Sequence, residues 1–162
     1  MFEAEIILNE FNRQYLTRLM AGFEEQDLDV QPHPDLHSMR WILAHLAIVV
    51  DYGMKQLELP FVCPLAWHAA YGPASKPGTS AKVRPTAEEL LSSIERGYAQ
   101  LCEALRCARA DQLDVRHEVD LLKNTALISK RDLLSHILAT HFATHLGQLS
   151  TLRRMAGHPP LF

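Results

Sequence analysis

No cluster of lysine or arginine marks this 162-residue chain, whose formal net charge is only −3. That excludes the basic footprint by which a protein holds a nucleic-acid backbone. Long apolar runs are missing too. Residues 43–50 are interrupted by His45 and closed by Asp51, well short of the roughly 20 residues that span a bilayer. The opening residues Met1-Phe2-Glu3-Ala4-Glu5 are acidic where a secretory leader would be basic, so no signal peptide is expected. Cysteine is scarce. Cys63, Cys102 and Cys107 are odd in number and lack the paired spacing of a metal knuckle, so free thiols in a reducing cytoplasm are the expectation. Cys102 and Cys107 read as small buried hydrophobes of a helix. With a hydrophobic share of 48%, the chain suits one globular domain over residues 1–162.

Periodicity predicts four long helices. The first covers about residues 2–22, with Ile7, Phe11, Tyr15 and Leu19 recurring every fourth residue as its buried stripe. An acidic stretch, 24–29, then meets the prolines Pro32 and Pro34 and reads as a turn or a short helical piece. Ser38 is the expected N-cap of the second helix. Its inward stripe is Trp41, Ile42, His45, Ile48, Val49 and Tyr52, and it fades before Pro60. Pro60, Pro64, Pro73, Pro77 and Pro85, with Gly72 and Gly78, predict a long loop between helices two and three. Trp67, His68 and Tyr71 should anchor that loop over one end of the bundle. Thr86 and Glu89 form a capping box that opens the third helix, whose buried stripe is Leu90, Ile94, Leu101 and Leu105. Residues 116–125 lack a clear period and read as extended. Ser129 caps the fourth helix with Asp132 at N3; Arg153, Arg154, Gly157 and Pro159-Pro160 stop it. The fold class is all-α, a four-helix bundle with two long connections.

The fourth helix carries His141-x-x-x-His145. Four residues advance a helix by one turn and about 40°, so both imidazoles share a face and can grip one ion. Both sit in the apolar stripe, and so does His45 of the second helix. Each alone could be a core histidine satisfied by a carbonyl or a carboxylate. Unpaired, each would cost about 1–3 kcal/mol, whereas one shared divalent ion satisfies all three. We therefore expect a His₃ metal site of zinc type with an open position, with nickel or ferrous iron equally suited to imidazole. His136, five residues before His141, falls about 140° away on an α-helical wheel and is not expected to join. His33, His37 and His158 read as solvated, and His68 and His117 remain as possible extra ligands. No carboxylate stands at helical spacing from the triad, so no general base is evident; Asp51 and Glu58 read as surface or helix-end charges.

The segment Ser38-Met39-Arg40-Trp41-Ile42-Leu43-Ala44-His45-Leu46, followed by His141-x-x-x-His145-Leu146-Gly147-Gln148-Leu149, resembles the DinB/YfiT-like family of metalloenzymes. Trp67-His68-Ala69-Ala70-Tyr71-Gly72 is similar to that family's aromatic–glycine loop, and Ala87-Glu88-Glu89-Leu90-Leu91 to the start of its third helix. The resemblance implies up-down-down-up connections, a homodimer and metal ligands at His45, His141 and His145. Thr144 stands where relatives often carry tyrosine, so no role is borrowed from that residue. Relatives with known activity are similar to thiol S-transferases and a thiol-dependent isomerase that use bacillithiol, mycothiol or glutathione. The implied function is a metal-dependent transferase joining a small-molecule thiol to an electrophilic substrate. In it Trp67, Tyr71 and Tyr52 would wall the substrate pocket, and Gln148 would orient a ligand or a neighbouring group. The alternatives are a metal-dependent hydrolase or a non-catalytic metal- or ligand-binding bundle. Neither nucleic acid nor membrane is an expected partner.

Overall fold

A computed structural model describes residues 1–73, 75–76 and 82–161; Pro77 and Gly78, two of the expected loop breakers, lie outside the described residues. In chain order the helices are α1 (Glu3–Met20), α2 (Met39–Gln56), α3 (Leu65–Tyr71), α4 (Ala87–Cys107), α5 (Ala110–Leu113), α6 (Lys130–Ser135) and α7 (Phe142–Met155). Short 3₁₀ turns cover Glu25–Asp29 and Asp120–Leu122, and a π-helical segment, His136–His141, joins α6 to α7. Among the described residues the only β pairing is one isolated bridge between Arg116 and Ser129. The fold is all-α.

Helix α2 is the axis of the molecule. Ser38 caps it by accepting from Trp41 N, as expected, and every residue from Met39 to Asp51 is buried. The predicted stripe is therefore one side of a helix enclosed all round, as a core helix must be. Its neighbours are α4, α3 and α7. Contact with α4 is close because Gly97 faces Val50: a Cβ on Gly97 would stand 2.7 Å from Val50 Cγ1. Helix α4 opens with the Thr86–Glu89 capping box and buries Leu90, Ile94, Leu101 and Leu105. Cys102 is buried beside them, but Cys107 is exposed in the last turn, contrary to the sequence expectation.

Helix α1 corrects a second expectation. Leu19 is buried, Tyr15 is partly so, but Ile7 is 67% exposed and Phe11 55%. The helix instead turns Asn9, Asn12 and Leu16 inward. The physical reason lies across the interface. Asn9 Nδ2 donates to the Leu138 carbonyl at 2.9 Å and Asn12 Nδ2 to the Ala139 carbonyl at 3.3 Å. Both carbonyls belong to the π segment, where departure from the i→i−4 ladder leaves acceptors in need of partners.

The expected long loop is also not all loop, since its centre forms α3, with Trp67 and Tyr71 buried. Asp51, far from being a surface charge, is fully buried and anchors this segment. Its carboxylate accepts from Val62 N at 2.7 Å, Cys63 N at 3.1 Å and His68 Nε2 at 2.8 Å. Ser129 and Asp132 form the capping box of α6, and Gly157, at φ +86°, ends α7 in the left-handed region that glycine adopts freely. No helix among the described residues is long and apolar enough to cross a membrane.

Candidate metal centre

His45 lies at the middle of α2, His141 closes the π segment, and His145 follows one turn into α7. Each offers one nitrogen such that all three lie within 4.8 Å of one another. Hydrogen bonds behind two of the rings fix which nitrogen that is. His45 Nδ1–H donates to the Tyr71 carbonyl at 2.9 Å, and His145 Nδ1–H donates to Gln148 Oε1 at 2.8 Å. Both rings thus aim an Nε2 lone pair inward. His141 Nε2 stands 3.3 Å from His145 Nε2, while His141 Nδ1 is buried without a partner.

A ring stack holds His45 from one side. Trp41 lies 4.6 Å from it at an interplanar angle of 10°, and His37 covers the other face of Trp41 at 3.4 Å. His37 is thus half-buried and stacked rather than solvated, and its Nδ1 is buried without a partner.

The donor set fits a divalent transition metal. Zinc–nitrogen bonds of about 2.0–2.1 Å in a tetrahedral site put neighbouring nitrogens about 3.3–3.4 Å apart, the separation that His141 and His145 already show. Burial holds all three rings neutral, the form that ligates. It lowers the His45 pKa to about 4 and that of His141 to about 2, in the latter case reinforced by the neighbouring His145 and His45. His145 is lowered by burial too, against the opposing bond from Gln148. Among the described residues no carboxylate joins the three histidines, so an ion here would keep most of its positive charge.

His45 and His141 open onto a cavity of about 440 Å³, lined otherwise by Val49, Tyr52, Pro73, Val119, Leu121, Leu122, Leu133, His136 and Ile137. Tyr52, one of the residues expected at a pocket, lines this cavity. Trp67 and Tyr71 are packed in the core instead; the Tyr71 hydroxyl donates to the Val83 carbonyl, and its own carbonyl backs His45. Gln148 acts behind His145 and lines a separate hollow of about 270 Å³ together with His37. The spare histidines are engaged elsewhere: His68 with Asp51, and His117 with the Leu127 carbonyl and Val119 N.

His136 is the residue that sequence reasoning missed. In π geometry five residues make roughly one turn, so His136 shares a side with His141, ring centroids 5.6 Å apart, and lines the cavity. An α-helical wheel cannot show this. The one hint in the sequence was the pair of asparagines on α1 that hold the π segment.

Fold and site together define a helical protein with a buried cluster of three neutral histidines facing a cavity, compatible with a divalent metal. A family model for the DinB superfamily matches residues 8–149. The chain belongs to the DinB superfamily. Among solved structures it is similar to the crystal structure of a conserved protein from Enterococcus faecalis, at 15% identity, with 96% of each chain covered and a TM-score of 0.76. That likeness speaks for the fold alone. No curated protein is similar enough to count as a match.

Proposed function

We propose that this protein is a metal-dependent enzyme that transfers a low-molecular-weight thiol to an electrophilic small molecule. One observation carries the reading: three neutral imidazoles converge within 4.8 Å at the wall of a cavity of about 440 Å³. The long helical segments would form the up-down-down-up bundle of the family. A divalent zinc, nickel or ferrous ion in such a site supplies Lewis acidity that lowers the pKa of a bound thiol, so that thiolate meets the electrophile. The chain's own part is to hold and to exclude. The Tyr71 carbonyl and Gln148 fix the His45 and His145 tautomers with Nε2 toward the site. Val49, Leu133 and Ile137 give the cavity an apolar wall. A three-histidine site brings no negative charge of its own and therefore favours an anionic incoming ligand such as a thiolate.

Metal analysis by mass spectrometry on untagged protein tests the site. We expect near-stoichiometric metal in the native chain, and affinity at least about a hundredfold lower in His145→Ala. A thiol-consumption screen with that ion restored then tests the transfer. No metal after reconstitution with zinc, nickel and ferrous iron would sink the reading. We also propose a homodimer, supported by the exposed Ile7, Leu8 and Phe11 on α1. Sedimentation velocity should show a dimer that Phe11→Glu converts to monomer; a monomeric native chain would rule it out.

A further inference from the structure

We infer that the cavity takes an uncharged, largely apolar molecule bearing one polar group, and that His136 Nε2 binds that group. The inference rests on reading the cavity as the substrate chamber of the metal centre, and it names the substrate class. Among the described residues, no lysine, arginine, aspartate or glutamate lines the chamber, whose walls include Val49, Leu122, Leu133 and Ile137. A charged group held against those walls, away from the metal centre, would lose part of its hydration with no opposite charge to replace it. A carboxylate-bearing body is therefore disfavoured wherever it must lie against these walls.

Among the described residues, the polar side chains of the lining away from the triad are Tyr52 and His136, and the His136 ring stands 5.6 Å from that of His141. The π segment swings His136 to the cavity side, and Thr140 Oγ1 occupies its Nδ1 at 2.6 Å. Nε2 is the nitrogen left for a ligand, as donor or acceptor according to the tautomer. Asn9 and Asn12 hold the carbonyls of the same segment from α1, so the ring is placed by the packing of two helices and not by a loop. A neutral hydrogen-bonding atom in a largely apolar chamber orients a ligand without demanding charge.

The test uses three probes and ligand-observed NMR on the full chain, with and without zinc: toluene, benzyl mercaptan and the dianionic mercaptosuccinate. Toluene should bind both forms. Without zinc, so that neither thiol nor carboxylate can ligate an ion, benzyl mercaptan should bind the native chain at least about tenfold more tightly than mercaptosuccinate. His136→Phe, which keeps the ring and loses the nitrogens, should weaken benzyl mercaptan about fivefold while leaving toluene binding and zinc content unchanged. Mercaptosuccinate binding the zinc-free chain as tightly as benzyl mercaptan would overturn the substrate class, as would no toluene binding in either form. Equal weakening of toluene and benzyl mercaptan in His136→Phe would reduce His136 to a space-filler and overturn its role. A chain that binds toluene but never takes up zinc would support the chamber while removing the metal reading, so the two failures are distinct.

Discussion

Two of the buried polar groups on helix α2, Arg40 and His45, lie five residues apart and end in opposite ways. Arg40, 3% exposed, is saturated: its guanidinium meets Asp29 at 2.7 and 2.8 Å, Glu25 at 2.6 Å and the Pro85 carbonyl. These bonds tie the 3₁₀ turn and the start of α4 to the axis helix. They hold Asp29 below the ordinary carboxylate range, chiefly through the Arg40 bond, and lower Glu25 through the Ala87 amide and Arg40. His45 is satisfied from behind on one nitrogen, and its other nitrogen meets those of His145, held likewise by Gln148, and of His141, whose Nδ1 has no partner. A buried polar cluster that satisfies itself stabilises a fold. One whose nitrogens converge while at least one polar atom stays without a partner is built for a guest.

The comparison breaks first at Arg40. Arg40→Ala should cost about 2–4 kcal/mol, toward the low end of breaking a buried ion pair because Asp29 and Glu25 reach water. Zinc stoichiometry in the folded protein should not change. Urea unfolding of the zinc-free chain, beside metal analysis, checks both halves. Lost metal with unchanged stability would mean that the two clusters are one site.

Acidification separates them next. The triad histidines have folded pKa values below the unfolded value of about 6.5, so the unfolded chain binds more protons between the two. Stability of the zinc-free protein is therefore full above about pH 6.5 and falls as pH drops toward about 4 for His45. The carboxylates of the Arg40 cluster, also depressed, keep their contribution down to about pH 4 and lose it only below. Between pH 7 and pH 5 the loss should come from the buried histidines, at about 1–2 kcal/mol for His45. Replacing His45 by Phe should flatten that slope. An equally steep slope in the variant would show that the protons go elsewhere.

Much of this was legible in the sequence, and the limits are instructive. Caps at Ser38, Thr86 and Ser129 were readable because a side-chain oxygen meets an amide three residues on. The histidine cluster was readable because an i,i+4 pair is local geometry and His45 stood out in an apolar run. The stripe of α1 was not, since periodicity finds an apolar face without saying what covers it. Two asparagines won the inner face because the π segment offered them carbonyls. His136 was lost for the same reason, as the wheel assumes 3.6 residues per turn throughout. Asp51 looked like a helix-end charge until the 62–68 segment folded back onto it. Each miss depends on a partner distant in sequence.

The smallest expected effect is the sharpest probe of what makes the triad a site. Gln148 Oε1 holds the His145 Nδ1–H at 2.8 Å, yet Gln148 itself is exposed. Its partner role can be deleted, whereas the one behind His45 is a backbone carbonyl that no side-chain substitution removes. In Gln148→Ala the imidazole loses the bond that fixes its tautomer, and water only partly replaces it. Groups behind a metal ligand are worth about 10–100-fold in affinity when buried; for an exposed one we expect about three- to tenfold weaker zinc binding. Competition against a chromophoric chelator at pH 7 measures it. Zinc-free stability should stay within about 0.5 kcal/mol of the native chain, because a surface glutamine contributes little to packing. A stability loss as large as the affinity loss would class Gln148 with Arg40, as part of the scaffold. Unchanged affinity would mean that the convergence of the three rings alone, held by α2, the π segment and α7, sets the strength of the site.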